Sequence, residues 1–239
     1  MIRLPLPRER IAERVELTRS ERHYLLDVLR LREGDELEVF DGAGGRHRAW
    51  LEGDSSLRLR PRSADAPSHA PIALAQALAK GEKMELVIEK ATELGVAEIL
   101  PFASERSVVR LEGRRAEERV ERWRRIAASA ARQCGRADLP AVQPVGTLES
   151  VLASAAHRGA RRLFLWEKEH ERRLSSALAG FDGPVVLIVG PEGGFSDAEA
   201  ELARARGAET VSLGARVLRT ETVALAALAV AQFLRGELA

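Results

Sequence analysis

Cysteine occurs once in the 239 residues, at Cys134. No disulfide can form within the chain, and no thiolate cluster can hold a metal. A lone cysteine fits a reducing cytoplasm, and the opening MIRLPLPRER has neither an apolar signal core nor a cleavage-site pattern, so export is not expected. No apolar run approaches the roughly 18–20 residues that span a bilayer; the longest, 223–231, has the length of a core helix, so no membrane association is expected. Aromatic residues make up only 4%, too few for a stacking platform that binds single strands. Lysine is scarce too, found only at Lys80, Lys83, Lys90 and Lys168, and no internal repeat or low-complexity tract is present.

What is present is ordinary for a globular protein: 45% hydrophobic and 31% charged residues, with a net charge of +1. That near-neutral total hides clusters. Residues 1–32 hold eight Arg against five acids, and residues 106–136 hold ten Arg against four. A genome that favours Arg and Ala accounts for the total but not for the clustering, which resembles the footprint of a nucleic-acid partner.

Residues 64–71 (ADAPSHAP) read as a linker between domains at 1–66 and 72–239. Before it, Thr18 and Glu21 have capping-box spacing ahead of a short helix. Strands are expected at 36–40, 46–51 and 56–60, with a glycine turn at 41–45. A domain of about 65 residues with this content suggests a small β-barrel. After the linker, strands at 72–78, 97–102, 161–166, 185–189 and 209–213 alternate with helices at 82–94, 115–134, 196–205 and 220–234. That alternation predicts an α/β fold whose parallel sheet is covered on both faces. The last helix is apolar nearly all round over 223–230, so it is either a central core helix or one completed by a second subunit.

Two loops carry the candidate chemistry. Strand 185–189 runs into Gly190-Pro191-Glu192-Gly193-Gly194 and then a helix capped by Ser196 and Glu199. Ligands of open α/β sheets sit beyond the carboxyl ends of strands, and glycines let them approach the backbone. A tight turn without a ligand has the same pattern. The loop is neither a P-loop nor a GxGxxG fingerprint, because the lysine and the glycine spacing are missing. The second loop, Leu213 to Thr222, also joins a strand to a helix, with Gly214 for backbone access and Val217 and Leu218 as an apolar wall. Arg219 and Glu221 add charge at the helix start, where an ordinary ion pair is the alternative, and Thr220 reads as the N-cap. Together the loops form opposite walls of one pocket.

GPEGG and LGARVLRTETV, with KATELGV at 90–96, PFASERSVV at 101–109, AARQCGRADLP at 130–140 and His23 followed by Val28-Leu29-Arg30, resemble one family closely. It is the ribosomal small-subunit (16S) rRNA (uracil-N3) methyltransferases of the SPOUT superfamily, and the resemblance covers nearly the whole chain. It implies a PUA-like β-barrel for RNA binding, then a SPOUT methyltransferase domain with a C-terminal trefoil knot. It also implies a homodimer that uses S-adenosyl-L-methionine to methylate a uridine of 16S rRNA in the small ribosomal subunit, with no metal. By position, the implied cofactor-binding residues are Leu165, Trp166, Gly190, Glu192, Gly193, Gly194, Leu213, Gly214, Val217 and Leu218. Reaction at uracil N3 needs a cation for charge on the ring carbonyls, for which Arg219 is the candidate, and a proton acceptor, for which Glu221 is.

For the RNA-facing surface, Arg122, Arg125, Ser129, Arg132 and Arg136 share one strip of a helical wheel, apart from a burial face of Val120, Trp123, Ala127, Ala130 and Cys134. Such a strip tracks phosphates or is simply a solvated face. Arg106, Arg3, Arg8, His23 and Arg30 are further candidates, with a core role as the alternative for His23. A non-catalytic RNA-binding assembly factor on the same fold is the competing function. A nucleotide-binding enzyme of another type is disfavoured by the missing phosphate-loop lysine.

Overall fold

The computed structural model describes residues 2–42, 44–62 and 70–238. The chain divides into two compact units, Met1–Pro67 with Ala131–Leu139, and Ser68–Ala130 with Pro140–Ala239. The expected linker lies outside the described residues except for Ala70 and Pro71. The return of 131–139 to the first unit has no counterpart in the contiguous division read from the sequence.

In the first unit, five strands are ordered β1 (Arg3–Pro5), β3 (Glu36–Phe40), β4 (Arg46–Glu52), β5 (Ser56–Arg62) and β2 (Arg14–Glu16). β1 lies parallel to β3 and the other pairs are antiparallel. The Thr18 capping box with Glu21 starts α1 (Arg19–Arg22), which widens into a π-helix over His23–Val28. Leu25 from that turn joins Leu37, Val39, Leu51, Leu57 and Leu59 in the core. β1 and β2 escape sequence reading because three residues are too short to show a period of two.

The second unit is built on a parallel sheet ordered β12 (Glu209–Val211), β10 (Arg161–Leu165), β11 (Val185–Val189), β6 (Ile72–Ala77), β7 (Glu98–Ala103) and β8 (Ala141–Val142), with β9 (Gly146–Thr147) also paired to β7. Strand residues alternate between two cores. Ile72, Leu74, Leu163, Val185 and Leu187 pack with α2 (Lys83–Glu93), α3 (Gly113–Cys134), α5 (Leu174–Leu178) and α7 (Thr220–Leu234). Ala73, Ala75, Phe164, Val186 and Ile188 pack with α4 (Leu148–His157) and α6 (Asp197–Ala205). Both faces are covered, as the strand–helix alternation predicts.

Three details refine the expectations. Gly95 follows α2 at φ +83, a left-handed backbone that favours glycine, and a Cβ there would displace the Gln232 amide, whose Nε2 would lie at 2.5 Å. Cys134 ends α3 and is exposed, whereas Val120, Trp123, Ala127 and Ala130 are buried as the wheel predicts. On α7, Ala224, Ala227, Leu228 and Ala231 are buried, while Leu225, Ala226 and Ala229 are half-buried beside exposed Thr222 and Phe233. One chain therefore covers only part of this helix.

Candidate active site

The order β12–β10–β11 places three parallel strands side by side, so the loops that follow them leave the same edge of the sheet. These loops, after Leu165, Val189 and Val211, enclose a cavity of about 490 Å³. All ten residues expected to hold the cofactor line it: Leu165, Trp166, Gly190, Glu192, Gly193, Gly194, Leu213, Gly214, Val217 and Leu218. Arg219 lines it too, with an exposed side chain. Glu221 does not; its side chain is 14% exposed, and its Oε2 lies 3.6 Å from Lys83 Nζ.

The glycine loop is shaped by its neighbours. A Cβ on Gly190 would press on the Phe195 ring at 3.1 Å, and that ring is fully buried against Phe164 at a centroid distance of 4.0 Å. Gly194 has φ +66, a left-handed backbone that glycine adopts without steric cost. Arg106 donates from Nη1 to the Gly193 carbonyl at 3.1 Å, and its Cβ would lie 3.2 Å from a Cβ on Gly193. Glu192 Oε1 accepts from the Lys80 N–H at 2.9 Å and from Lys83 Nζ at 3.1 Å. Burial pushes the Glu192 carboxyl up, but the Lys80 N–H and Lys83 outweigh it and hold it below the usual range.

The two loops are stitched together beneath the cavity. Thr220 is buried, and its hydroxyl donates to the Gly190 carbonyl at 2.6 Å while accepting from Gln76 Nε2 at 2.9 Å. Its expected N-cap role is corrected: Arg219 occupies the cap with extended backbone and no side-chain cap bond. The third loop is braced by Glu169, which accepts from the Thr210 hydroxyl at 2.6 Å and from the N–H groups of Glu171 and Arg172. The Thr210 bond, against some burial, lowers the Glu169 carboxyl to about 2. Trp166 has Arg204 and Lys168 over its ring at 5.0 and 5.8 Å, and its indole N–H is shielded with no partner.

The arginine candidates for RNA differ in freedom. Arg8, Arg30, Arg106 and Arg125 are exposed, and Arg30 holds φ 56, a left-handed backbone that is costly without glycine. Arg122 is held by Glu85 at 2.7 Å and Arg3 by Glu38 at 3.4 Å. Arg132 lies over the Tyr24 ring at 5.7 Å. Arg136 lies past the end of α3 and pairs with Asp138 at 2.6 Å, so it does not extend the strip on that helix. His23 is exposed and pairs with Asp27 at 2.7 Å, which removes the core reading.

Sequence reading passed over Lys83, Glu167, His170 and Arg216, which also line the cavity. One signal for Lys83 was available: it is one of four lysines in a chain that otherwise uses arginine. Among the described residues no group of His, Cys, Asp or Glu is arranged to hold a metal, and no helix is long and apolar enough to cross a membrane.

Residues 66–232 match the RNA methyltransferase domain family, and residues 17–61 match the RNA methyltransferase PUA domain. The chain is similar to the ribosomal RNA small subunit methyltransferase E of Bacillus subtilis (strain 168), at 32% identity over 236 residues and 92% of each chain. It is 37% identical over 229 residues to the protein of that name from Synechocystis, covering 93% of this chain and 74% of the relative. A crystal structure of a ribosomal RNA small subunit methyltransferase E from Neisseria gonorrhoeae, bound to S-adenosyl methionine, superposes with a TM-score of 0.85 at 34% identity over 98% of each chain. A catalytic-domain match spanning the cavity loops, and relatives of one name aligned along most of the length, lead to one assignment: the chain belongs to the RNA methyltransferase family of the ribosomal RNA small subunit methyltransferase E proteins.

Proposed function

We propose that this protein transfers a methyl group from S-adenosyl-L-methionine to N3 of a specific uridine in 16S rRNA of the small ribosomal subunit. The observation that carries this reading is the cavity itself, walled by backbone of both glycine-bearing loops and edged by Arg219. Its volume of about 490 Å³ lies in the range of small-molecule sites. The unpartnered, shielded N–H of Trp166 in its wall is a donor in want of an acceptor, which fits a heteroaromatic ligand. Bound there, S-adenosyl-L-methionine supplies an activated methyl group on a sulfonium. Leu165, Leu213, Val217 and Leu218 offer apolar contact, and the glycines offer N–H and C=O groups at close approach. Arg219, free of any cap bond at the start of α7, is positioned to meet charge that develops on a ring carbonyl.

The finer points of architecture belong to the same proposal. The five-stranded sheet of the first unit supports a PUA-like β-barrel that binds RNA, with Arg3, Arg8, His23, Arg30, Arg132 and Arg136 as its candidate contacts. In the second unit Arg106, Arg122 and Arg125 are the candidates; the exposed Arg106 and Arg125 are favoured because a phosphate need not displace an acid there. A SPOUT trefoil knot is supported by the path of the carboxyl terminus. Ser212 exchanges backbone bonds with Arg172 and Leu174, and Thr220, the first residue of α7, then bonds to the Gly190 carbonyl. The partly covered strip on α7, from Thr222 to Phe233, supports a homodimer. An rRNA substrate places the protein in the cytoplasm.

The test is Arg219→Ala assayed by calorimetry and by methyl transfer to unmodified small subunits. Turnover is expected to fall about 10²–10³-fold, as for loss of an oxyanion-type donor, while cofactor affinity changes little. Equal turnover removes Arg219 from the reaction.

A further inference from the structure

We infer that Lys83 is a charged residue of the reaction centre, presented to the target base by Glu192 and Glu221. The inference rests on the uridine-N3 reading above and adds a second cation to it. Lys83 stands in the first turn of α2 and lines the cavity, with its side chain 33% exposed. Its Nζ lies 3.1 Å from Glu192 Oε1 and 3.6 Å from Glu221 Oε2. The two carboxylates come from different elements: one from the glycine loop, the other from the first turn of α7.

The two acids are held differently. Glu192 has a second donor, the Lys80 N–H at 2.9 Å, so its place does not depend on Lys83. Glu221 Oε2 is shielded from solvent and accepts no hydrogen bond, with the Lys83 ammonium as its ion-pair partner. A shielded carboxylate oxygen without a hydrogen bond is costly, and here its charge draws the ammonium toward the cavity wall. Glu85, on the same helix as Lys83, is already engaged by Arg119 and Arg122 at 3.1 and 2.7 Å. An ammonium has three donors. Glu192 takes one at hydrogen-bond distance, and donors remain for a ligand in the cavity.

The chemistry of the base asks for a second cation. N3 of uracil stands between two carbonyls, so charge released there spreads to both oxygens. N3 gives its proton to water and its electron pair to the methyl carbon, whose bond to sulfur breaks with the pair retained by sulfur. Arg219 serves one carbonyl from the second loop, and Lys83 serves the other from α2. In this arrangement Glu221 is a positioning residue that acts through Lys83, rather than the proton acceptor expected from sequence.

The experiment compares wild type, Lys83→Met and Lys83→Arg in single-turnover methylation of unmodified small subunits across pH, with the product mapped and cofactor affinity measured alongside. In Lys83→Met the rate at neutral pH is expected to fall about 10²-fold, the loss typical of a removed charge-stabilising donor. Its rate is expected to keep rising with pH where wild type has levelled, because the unaided base must lose its proton to solvent first. Cofactor affinity is expected to stay within a factor of two, and Lys83→Arg to restore the wild-type profile. Lys83→Gln supplies the comparison where Lys83→Met fails to fold. An N3 product with an unchanged pH profile in the variant, or a loss confined to cofactor affinity, overturns the role of Lys83 alone. Absence of an N3 product from wild type overturns the functional reading and this inference with it.

Discussion

Thr220→Val tests how far the cavity depends on the stitch between its two loops. Thr220 is 5% exposed, and valine keeps its shape while removing the hydroxyl. Two bonds are lost, to Gly190 O at 2.6 Å and from Gln76 Nε2 at 2.9 Å. Neither partner is orphaned. Gly190 O still accepts from Gln76 Nε2 at 3.4 Å, and Gln76 Nε2 still reaches Ala77 O at 3.0 Å. The cost is therefore two ordinary net hydrogen bonds, about 1–3 kcal/mol in total, and not two full desolvation penalties. For a chain of this size, 2 kcal/mol lowers Tm by about 4–8 °C. Because the bonds join the cavity walls, cofactor affinity is expected to weaken about tenfold, the equivalent of about 1.4 kcal/mol. Thermal unfolding and calorimetry read both effects, with exposed Ser176→Ala on α5 as a control that changes neither. A Thr220→Val protein with wild-type Tm and wild-type affinity would refute the reasoning.

Further expectations concern other parts of the second unit. Gly190→Ala presses a methyl into the buried Phe195 ring, and overpacking of this kind costs about 1–3 kcal/mol; a variant that unfolds and binds like wild type contradicts the close approach. Arg235 is buried and donates to the carbonyls of Ala70 and Gly183, so Arg235→Met is expected to cost about 2 kcal/mol after relief of the buried charge, read by denaturant unfolding. No loss of stability there dismisses the clamp. The Glu169 carboxyl falls from an ordinary 4.5 to about 2, chiefly through the Thr210 hydroxyl. A lowered acid pKa stabilises the fold above the unfolded value and loses that contribution as pH falls through the folded one. The stability gap between wild type and Glu169→Gln should thus be full at neutral pH and close between about 4.5 and 2; a gap independent of pH argues against it.

The cavity was legible in sequence because its grammar is local. A buried strand, a glycine turn and a helix follow one another within a dozen residues, twice, and the Ser196–Glu199 box formed as its spacing requires. The sheet was legible for the same reason: apolar strands and periodic helices alternate. Most of what stayed hidden depends on distance along the chain or on brevity; the ten-residue α4 was missed for neither reason. β8 and β9 have two residues each, too few to show a period. Thr220 looked like a cap because its true partner, the Gly190 carbonyl, lies 30 positions away. The pairing of Lys83 was hidden because Glu192 is 109 positions distant. The arginine strip was drawn past Cys134, where the helix ends, so Arg136 was placed on a face that no longer exists.

The most direct measurement of the central claim is to incubate the protein with methyl-labelled S-adenosyl-L-methionine and small ribosomal subunits lacking the modification, then digest and map the labelled nucleoside. The account predicts label in N3-methyluridine at a single position of 16S rRNA. Label on a different atom or base, or no transfer together with no cofactor binding, contradicts it.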